Sequence, residues 1–194
     1  LGDSNSVLSS VPLKKEGYRI GHIEAGMRSY DKRMLEEINR EVCDHCSDLL
    51  FVYHSNYKEN CLRENIPEET VFVVGNTIVE VCSLMSVLCL PFGSRQKNQD
   101  YILVDVHRPE NFNYPGRMRN ITEFVKTASA EFGLPARMLS FKRTMDKLVE
   151  FGLTLDKIEP VNLMSYKSFI QAQYNAAFMI SDSGTAQEEP ALLD

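Results

Sequence analysis

Short runs of β-branched and aromatic residues alternate with longer stretches of helical period along this chain, and that alternation admits few folds besides a parallel sheet wound with helices. The runs fall at 18–23, 49–53, 71–74, 101–106, 136–140 and 177–181. Between them, Ile38, Val42, Cys46 and Leu49 share one face of a helix that begins at Glu36. Glu36 and Glu37 stand in its first turn, where the helix dipole favours carboxylates. Met118, Ile121, Val125 and Ala128 mark a second helix, stopped by Gly133 and Pro135. A polar stretch with Pro91 and Gly93 then separates an apolar helix from a fresh strand. The expected fold is therefore α/β, with one domain at 1–90, a linker at 91–100 and a second domain at 101–194.

Composition removes several functional classes. The 194 residues carry 21 basic and 27 acidic side chains, and a net charge of -6 offers no basic stripe for nucleic acid. No apolar run approaches the roughly 20 residues of a membrane span, so the default is a soluble cytoplasmic protein. The Cys count of 5 is odd and the residues are scattered, as expected of reduced thiols. Cys43-Asp44-His45-Cys46 has the spacing of a metal or redox pair, but it falls inside a helix and lacks a second ligand pair. It reads as structural, with Cys46 on the buried face, and no metal is expected. The chain opens with Leu1-Gly2-Asp3 and stops at Leu193-Asp194, directly after a motif-rich segment, which reads as an internal fragment of a longer protein.

In open α/β sheets ligands bind beyond the carboxyl ends of the strands, so the residues that follow each strand carry the functional signal. Here they are Glu24-Ala25-Gly26-Met27-Arg28-Ser29, His107-Arg108-Pro109-Glu110-Asn111 and Ser181-Asp182-Ser183-Gly184 through Glu189. The last offers backbone N–H groups and a hydroxyl to an anion such as a diphosphate, with Glu188 or Glu189 a turn further on as acceptors for ribose hydroxyls. The competing explanation is an ordinary capped helix with acidic residues in its first turn. His107 and Arg108 can supply positive charge to a phosphate, and His107 can exchange protons near neutral pH. Asp3, Glu24 and Glu36 are carboxylates at strand or helix ends. Gathered in one site, such groups raise one another's pKa and become fit for acid and base work.

Taken together, the segments resemble the UDP-N-acetylglucosamine 2-epimerase family over nearly the whole chain. His22-Ile23-Glu24-Ala25-Gly26-Met27-Arg28-Ser29 is similar to the family's His-x-Glu-Ala-Gly-x-Arg block, and Glu36-Glu37-Ile38-Asn39-Arg40 to its Glu-Glu-x-Asn-Arg block. Gly75-Asn76-Thr77, the His107 block and the Ser181 block follow in the family's order. The resemblance implies two Rossmann-like domains of the GT-B type facing a cleft, both incomplete in this chain, with UDP held mainly by the second. It implies an isomerase that eliminates UDP to a 2-acetamidoglucal and adds it back with C2 inverted. Asp3, Glu24 and Glu36 match the family's acid-base carboxylates, and His107 a diphosphate-contacting, catalytically important histidine. Ser183 and Gly184 match a phosphate-binding turn, and Glu189 a ribose-binding acid. No metal, nicotinamide or other cofactor is implied, and the complete protein is expected to be a homodimer.

Two departures stand out. Thr185 occupies a position where a second glycine is common, and Phe141-Lys142-Arg143-Thr144 stands where many members have His-Pro-Arg-Thr. The alternatives are a hydrolysing epimerase that releases N-acetylmannosamine and UDP, an epimerase of another UDP-N-acetylated hexose, and a GT-B glycosyltransferase. The Glu24 and Glu36 blocks weigh against a transferase. The presence of Asp3, Glu24, Glu36 and His107 weighs against a binding module without turnover.

Overall fold

A computed structural model of the chain describes residues 2–89, 99–184, 186 and 188–193. They form two compact units, divided between Thr77 and Ile78. The first holds helices α1 (Ser4–Val7), α2 (Ser10–Lys15), α3 (Leu35–Cys46) and α4 (Ser55–Arg63), and strands β1 (Gly21–Ile23), β2 (Leu49–Val52) and β3 (Val71–Val73). The second opens with α5 (Thr77–Cys89), followed by β4 (Ile102–Asp105), α6 (Pro109–Phe112), α7 (Pro115–Phe132) and β5 (Ala136–Leu139). It continues through α8 (Lys142–Glu150), β6 (Ile158–Val161), α9 (Tyr166–Asn175), β7 (Phe178–Ser181) and α10 (Glu189–Leu192). No helix among the described residues is long and apolar enough to cross a membrane.

The division differs from the expected linker at 91–100, of which 91–98 lies outside the described residues. The reason is packing: α5 belongs with the second unit, where Cys82 is buried with Ile170 of α9 and Leu193. Ile78 and Met85, one turn before and one turn after Cys82, extend the same contact. The helix therefore starts the second unit, and the chain changes units before the polar stretch is reached.

The first unit's sheet has the order β1-β2-β3, all parallel. Its core is Leu50 and Val52 of β2 packed with Cys61 of α4, Ile66 and Val71. The second sheet has the order β6-β5-β4-β7, again parallel throughout. Every residue of β4 is buried, as the centre of a sheet covered on both faces requires. Ile102, Val104 and Val106 face Met118 and Val125 of α7 and Leu148 of α8. Tyr101 and Leu103 alternate to the other face, against Phe169 and Ala172 of α9. Burying side chains of this size contributes about 1.5–3 kcal/mol each, so β4 is the mechanical centre of the unit.

The six expected strands all form, and the sheet gains one more. β6 reads Ile-Glu-Pro-Val, a run the sequence reading did not pick out, and its Pro160 lies at the sheet edge, where a missing N–H is tolerated. The expected helix over Met118 to Ala128 ends as anticipated, with Gly133 in the left-handed region at φ 64.

The face expected of α3 is corrected. Ile38 and Val42 are 42% and 38% exposed, and the buried side chains are Glu37, Asn39, Cys43 and Asp44. Polar groups are buried here because each meets donors or acceptors from other segments. Glu37 accepts from Ser29 N, Ser29 Oγ and Tyr30 N, and Asn39 donates to the carbonyl of Gly2. A buried polar group with its partners in place no longer resists burial. Likewise Cys43, rather than Cys46, is the core cysteine.

Gly26 makes a tight turn in the first unit, with φ 75. A Cβ there would lie 2.4 Å from the carbonyl oxygen of Tyr57 and 2.8 Å from Cys61 Sγ, whereas one on Gly133 would meet nothing within 4 Å. Gly26→Ala is expected to lose about 3 kcal/mol, from left-handed strain and overpacking together. Gly133→Ala is expected to lose about 1 kcal/mol from strain alone. Urea unfolding midpoints of the two variants check the difference.

Candidate functional site

In the second unit the chain lays β5 and β6 on one side of β4 and then returns to place β7 on the other. The strand order thus reverses between β4 and β7, and a crevice lies at the carboxyl ends of these neighbouring strands. His107 and Arg108 follow β4, and Ser183 and Gly184 follow β7. The structure brings these four together: His107 and Ser183 line one cavity of about 460 Å³, and a Cβ on Gly184 would lie 3.5 Å from a guanidinium nitrogen of Arg108.

Two aspartates build this arrangement. Asp182 accepts from His107 N (3.0 Å), Arg108 N (3.1 Å) and Asn111 Nδ2 (2.9 Å), so one carboxylate after β7 fixes the loop after β4. Asp105, at the end of β4, accepts at 2.8 Å from His107 Nδ1 and at 3.3 Å from Ser181 Oγ. With Nδ1–H committed to Asp105, Nε2 is the ring nitrogen left for a ligand. The Asp105 hydrogen bond, with burial opposing it, raises the His107 pKa above its ordinary value and favours the imidazolium. Asp105, His107 and Asp182 place potential metal-ligand atoms within 4.8 Å of one another. Their hydrogen bonds account for that grouping, because both carboxylates already face N–H or O–H donors.

Phe141, in the sequence block that departs from the family pattern, closes one wall, its ring centroid 4.9 Å from that of His107. It caps α8, and Thr144 fastens that helix beneath the site by donating to the carbonyl of Val106 at 2.7 Å. Leu139, Leu163, Met164 and Phe169 complete an apolar lining. Ser183 N donates to Ser181 Oγ at 2.9 Å. Thr185 lies outside the described residues, and the helix expected after Gly184 is described from Glu189. Glu189 itself is 3% exposed, its oxygens accepting from Tyr166 Oη at 2.9 Å and Gln173 Nε2 at 2.7 Å.

The first unit holds the three other carboxylates. Asp3 is exposed and caps α1, accepting from Ser6 N and Ser6 Oγ, each at 3.0 Å. Residue Gly2 rests on α3 so closely that a Cβ would lie 2.4 Å from the carbonyl oxygen of Glu36. Asp3 and Glu36 therefore occupy touching backbone segments. Of the Glu-Glu pair, Glu37 is fully buried and engaged by the 29–30 backbone, while Glu36 is half-buried. Burial opposes charge on Glu37, and the N–H groups of Ser29 and Tyr30 prevail, holding its carboxyl below the usual range. Glu24 is also half-buried, directly after β1, in the left-handed region at φ 69, with its N–H bonded to the carbonyl of Phe51.

Beneath Glu24 lies a buried ionic network. Asp44 accepts from His22 Nδ1 at 2.6 Å and from Gly26 N at 3.0 Å, and lies 2.8 Å from Arg28. Arg28 forks onto Glu64 at 2.7 and 2.6 Å. Burial alone would lower the His22 pKa, but the hydrogen bond and charge of Asp44 prevail and lift it from 6.5 to about 9. The same partners, His22 and Arg28, hold Asp44 below its ordinary value against the opposing effect of burial.

Sequence reasoning passed over Asp44, Asp105 and Asp182. Asp105 had a signal, a charged residue closing an otherwise apolar buried strand, which is rarely tolerated without a partner. Asp44 was hidden between two cysteines that drew the metal reading.

A family model described as UDP-N-acetylglucosamine 2-epimerase matches residues 1–194. A protein of that description from Methanococcus maripaludis is 34% identical over 100% of this chain and 56% of its own length. A UDP-2,3-diacetamido-2,3-dideoxy-D-glucuronate 2-epimerase from Pseudomonas aeruginosa is 31% identical, over 97% of this chain and 53% of its own. The crystal structure of the Methanocaldococcus jannaschii UDP-GlcNAc 2-epimerase, in complex with UDP-GlcNAc and UDP, superposes with a TM-score of 0.90 at 34% identity. That match covers 99% of this chain and 56% of the other. The chain thus spans little more than half the length of these relatives. Its fold class is the expected one, α/β with parallel, Rossmann-like sheets like those of these GT-B-type neighbours.

A folded pKa above the ordinary value means that protonated His22 stabilises the fold fully below pH 6.5 and that this contribution is lost as pH rises through about 9. His22→Gln is expected to remove that part of the pH dependence. Urea midpoints of the wild type and variant, measured from pH 6 to 10, should converge at the alkaline end.

Proposed function

The chain belongs to the UDP-N-acetylglucosamine 2-epimerase family, from which we infer that the complete protein interconverts UDP-N-acetylglucosamine and UDP-N-acetylmannosamine. The observation that carries this reading is the convergence of His107, Arg108, Ser183 and Gly184 at the switch point between β4 and β7, a site suited to a diphosphate. The relatives named above as acting on or binding UDP-sugars supply the substrate class.

The hydrogen on C2 has no adjacent carbonyl to acidify it, so direct deprotonation and reprotonation is unfavourable. In the proposed reaction a carboxylate takes the C2 hydrogen as a proton while the bond from C1 to the diphosphate oxygen breaks. The sugar becomes a 2-acetamidoglucal with a double bond between C1 and C2, and UDP carries away the electron pair. Re-addition of the diphosphate oxygen to C1, with a proton delivered to the opposite face of C2, completes inversion. Asp3, Glu24 and Glu36 are the acid-base candidates.

The imidazolium of His107, favoured by Asp105, donates from Nε2 to the departing diphosphate, and Arg108 adds charge. The Ser183-Gly184 turn receives a phosphate. Glu189 is the ribose acceptor, since a carboxylate offers about four lone-pair sites and Tyr166 and Gln173 engage two. The reading includes a homodimeric complete protein in the cytoplasm, on family likeness.

Proton NMR of the complete protein with UDP-N-acetylglucosamine in deuterated water tests this. The expected outcome is UDP-N-acetylmannosamine carrying deuterium at C2, with His107→Asn lowering kcat/KM by about 100-fold to 10,000-fold. Free N-acetylmannosamine with UDP would move the protein to the hydrolysing class. An unchanged spectrum from a folded, UDP-binding protein would overturn the substrate assignment in favour of another UDP-sugar or a transferase role.

A further inference from the structure

Glu24 occupies an unusual backbone position. At φ 69 it is left-handed without being glycine, a conformation that costs about 1–2 kcal/mol and persists only where its surroundings enforce it. The enforcement comes from both sides of the turn. His22, two residues before, places Nδ1 2.6 Å from Asp44 Oδ1, and Gly26, two residues after, donates its N–H to Asp44 Oδ2 at 3.0 Å. Arg28 adds a third bond to the same carboxylate at 2.8 Å and is itself fixed by Glu64 and by the carbonyl of Met27.

We propose that Asp44 is a positioning residue for Glu24, its single carboxylate closing the turn on which Glu24 stands by binding the residues two before and two after it. The proposal rests on the reading of Glu24 as an acid-base carboxylate. Asp44 is 1% exposed and reaches no substrate, so it acts only through the turn. The arrangement suits a proton-transfer group because a displacement of about 1 Å in a reacting carboxylate can cost about 100-fold in rate. A carboxylate anchored by three donors within residues 22–28 resists that displacement better than a neutral acceptor, since charge-assisted hydrogen bonds are roughly twice as strong.

The test is a double-mutant cycle on the complete protein, following kcat and KM for UDP-N-acetylglucosamine. Asp44→Asn keeps the size of the side chain and removes its charge. It is expected to lower kcat about 100-fold with KM within about two-fold of wild type, as misplacement of a reacting group does. Glu24→Gln is expected to lower kcat further, and the double variant to be no slower than Glu24→Gln alone, because both changes disable one device. Losses that multiply in the double variant, or a change confined to KM, would overturn the positioning role. Activity retained by Glu24→Gln would instead overturn the acid-base reading of Glu24, and the purpose of the clamp with it. Should Asp44→Asn fail to fold, His22→Asn removes one anchor and leaves Gly26 and Arg28 in place. It is expected to lower kcat about 10-fold and to show the same non-additivity with Glu24→Gln; multiplied losses in that pair would overturn the proposal equally.

Discussion

A largely buried aspartate that gathers donors from a distant stretch of chain is the interaction on which both units depend. Asp182 does this in the second unit, drawing the His107 and Arg108 amides and the Asn111 side chain onto the end of β7. Asp44 does it in the first, drawing in His22, Gly26 and Arg28. Taking a carboxylate out of water costs several kcal/mol, and only a full set of partners offsets it. Loops held this way cannot drift individually, because releasing one donor leaves a charged group underserved. Function-bearing loops thereby acquire the rigidity of the sheet beneath them.

The same economy explains α3, which turns its polar side inward. Glu37, Asn39 and Asp44 each serve backbone or side-chain groups of residues 2–30, segments that contain only one short strand and two short helices. The helix acts as a spine for chain that makes little regular structure of its own. Its Leu35, Ile38 and Val42 stripe is left outward as a result.

Much of this was legible in the sequence, and the failures share a cause. The expected strands were read from local pattern, and His107, Arg108, Ser183 and Gly184 from their places after strands. What local pattern could not supply was pairing at long range. Asp182 and His107 are 75 residues apart, and nothing near either announces the other. The inward face of α3 failed for the same reason, since hydrophobic periodicity ranks side chains by their affinity for water without knowing which polar partners will arrive. The unit boundary failed because a helix's allegiance is decided by Cys82, Ile170 and Leu193 together, residues that no window contains at once.

Pro160 carries a consequence beyond its own strand. Val161 accepts from Ser140 N on the β5 side, so by alternation the backbone groups of Pro160 point toward the open flank of β6. That flank therefore lacks a donor at its midpoint, and an extended segment approaching it finds a broken ladder. Such an edge discourages a stray strand from docking and the protein from self-association into fibres. Among the described residues the sheet is thus asymmetric as a template, with a broken ladder at the β6 edge and no proline in the strand at the β7 edge.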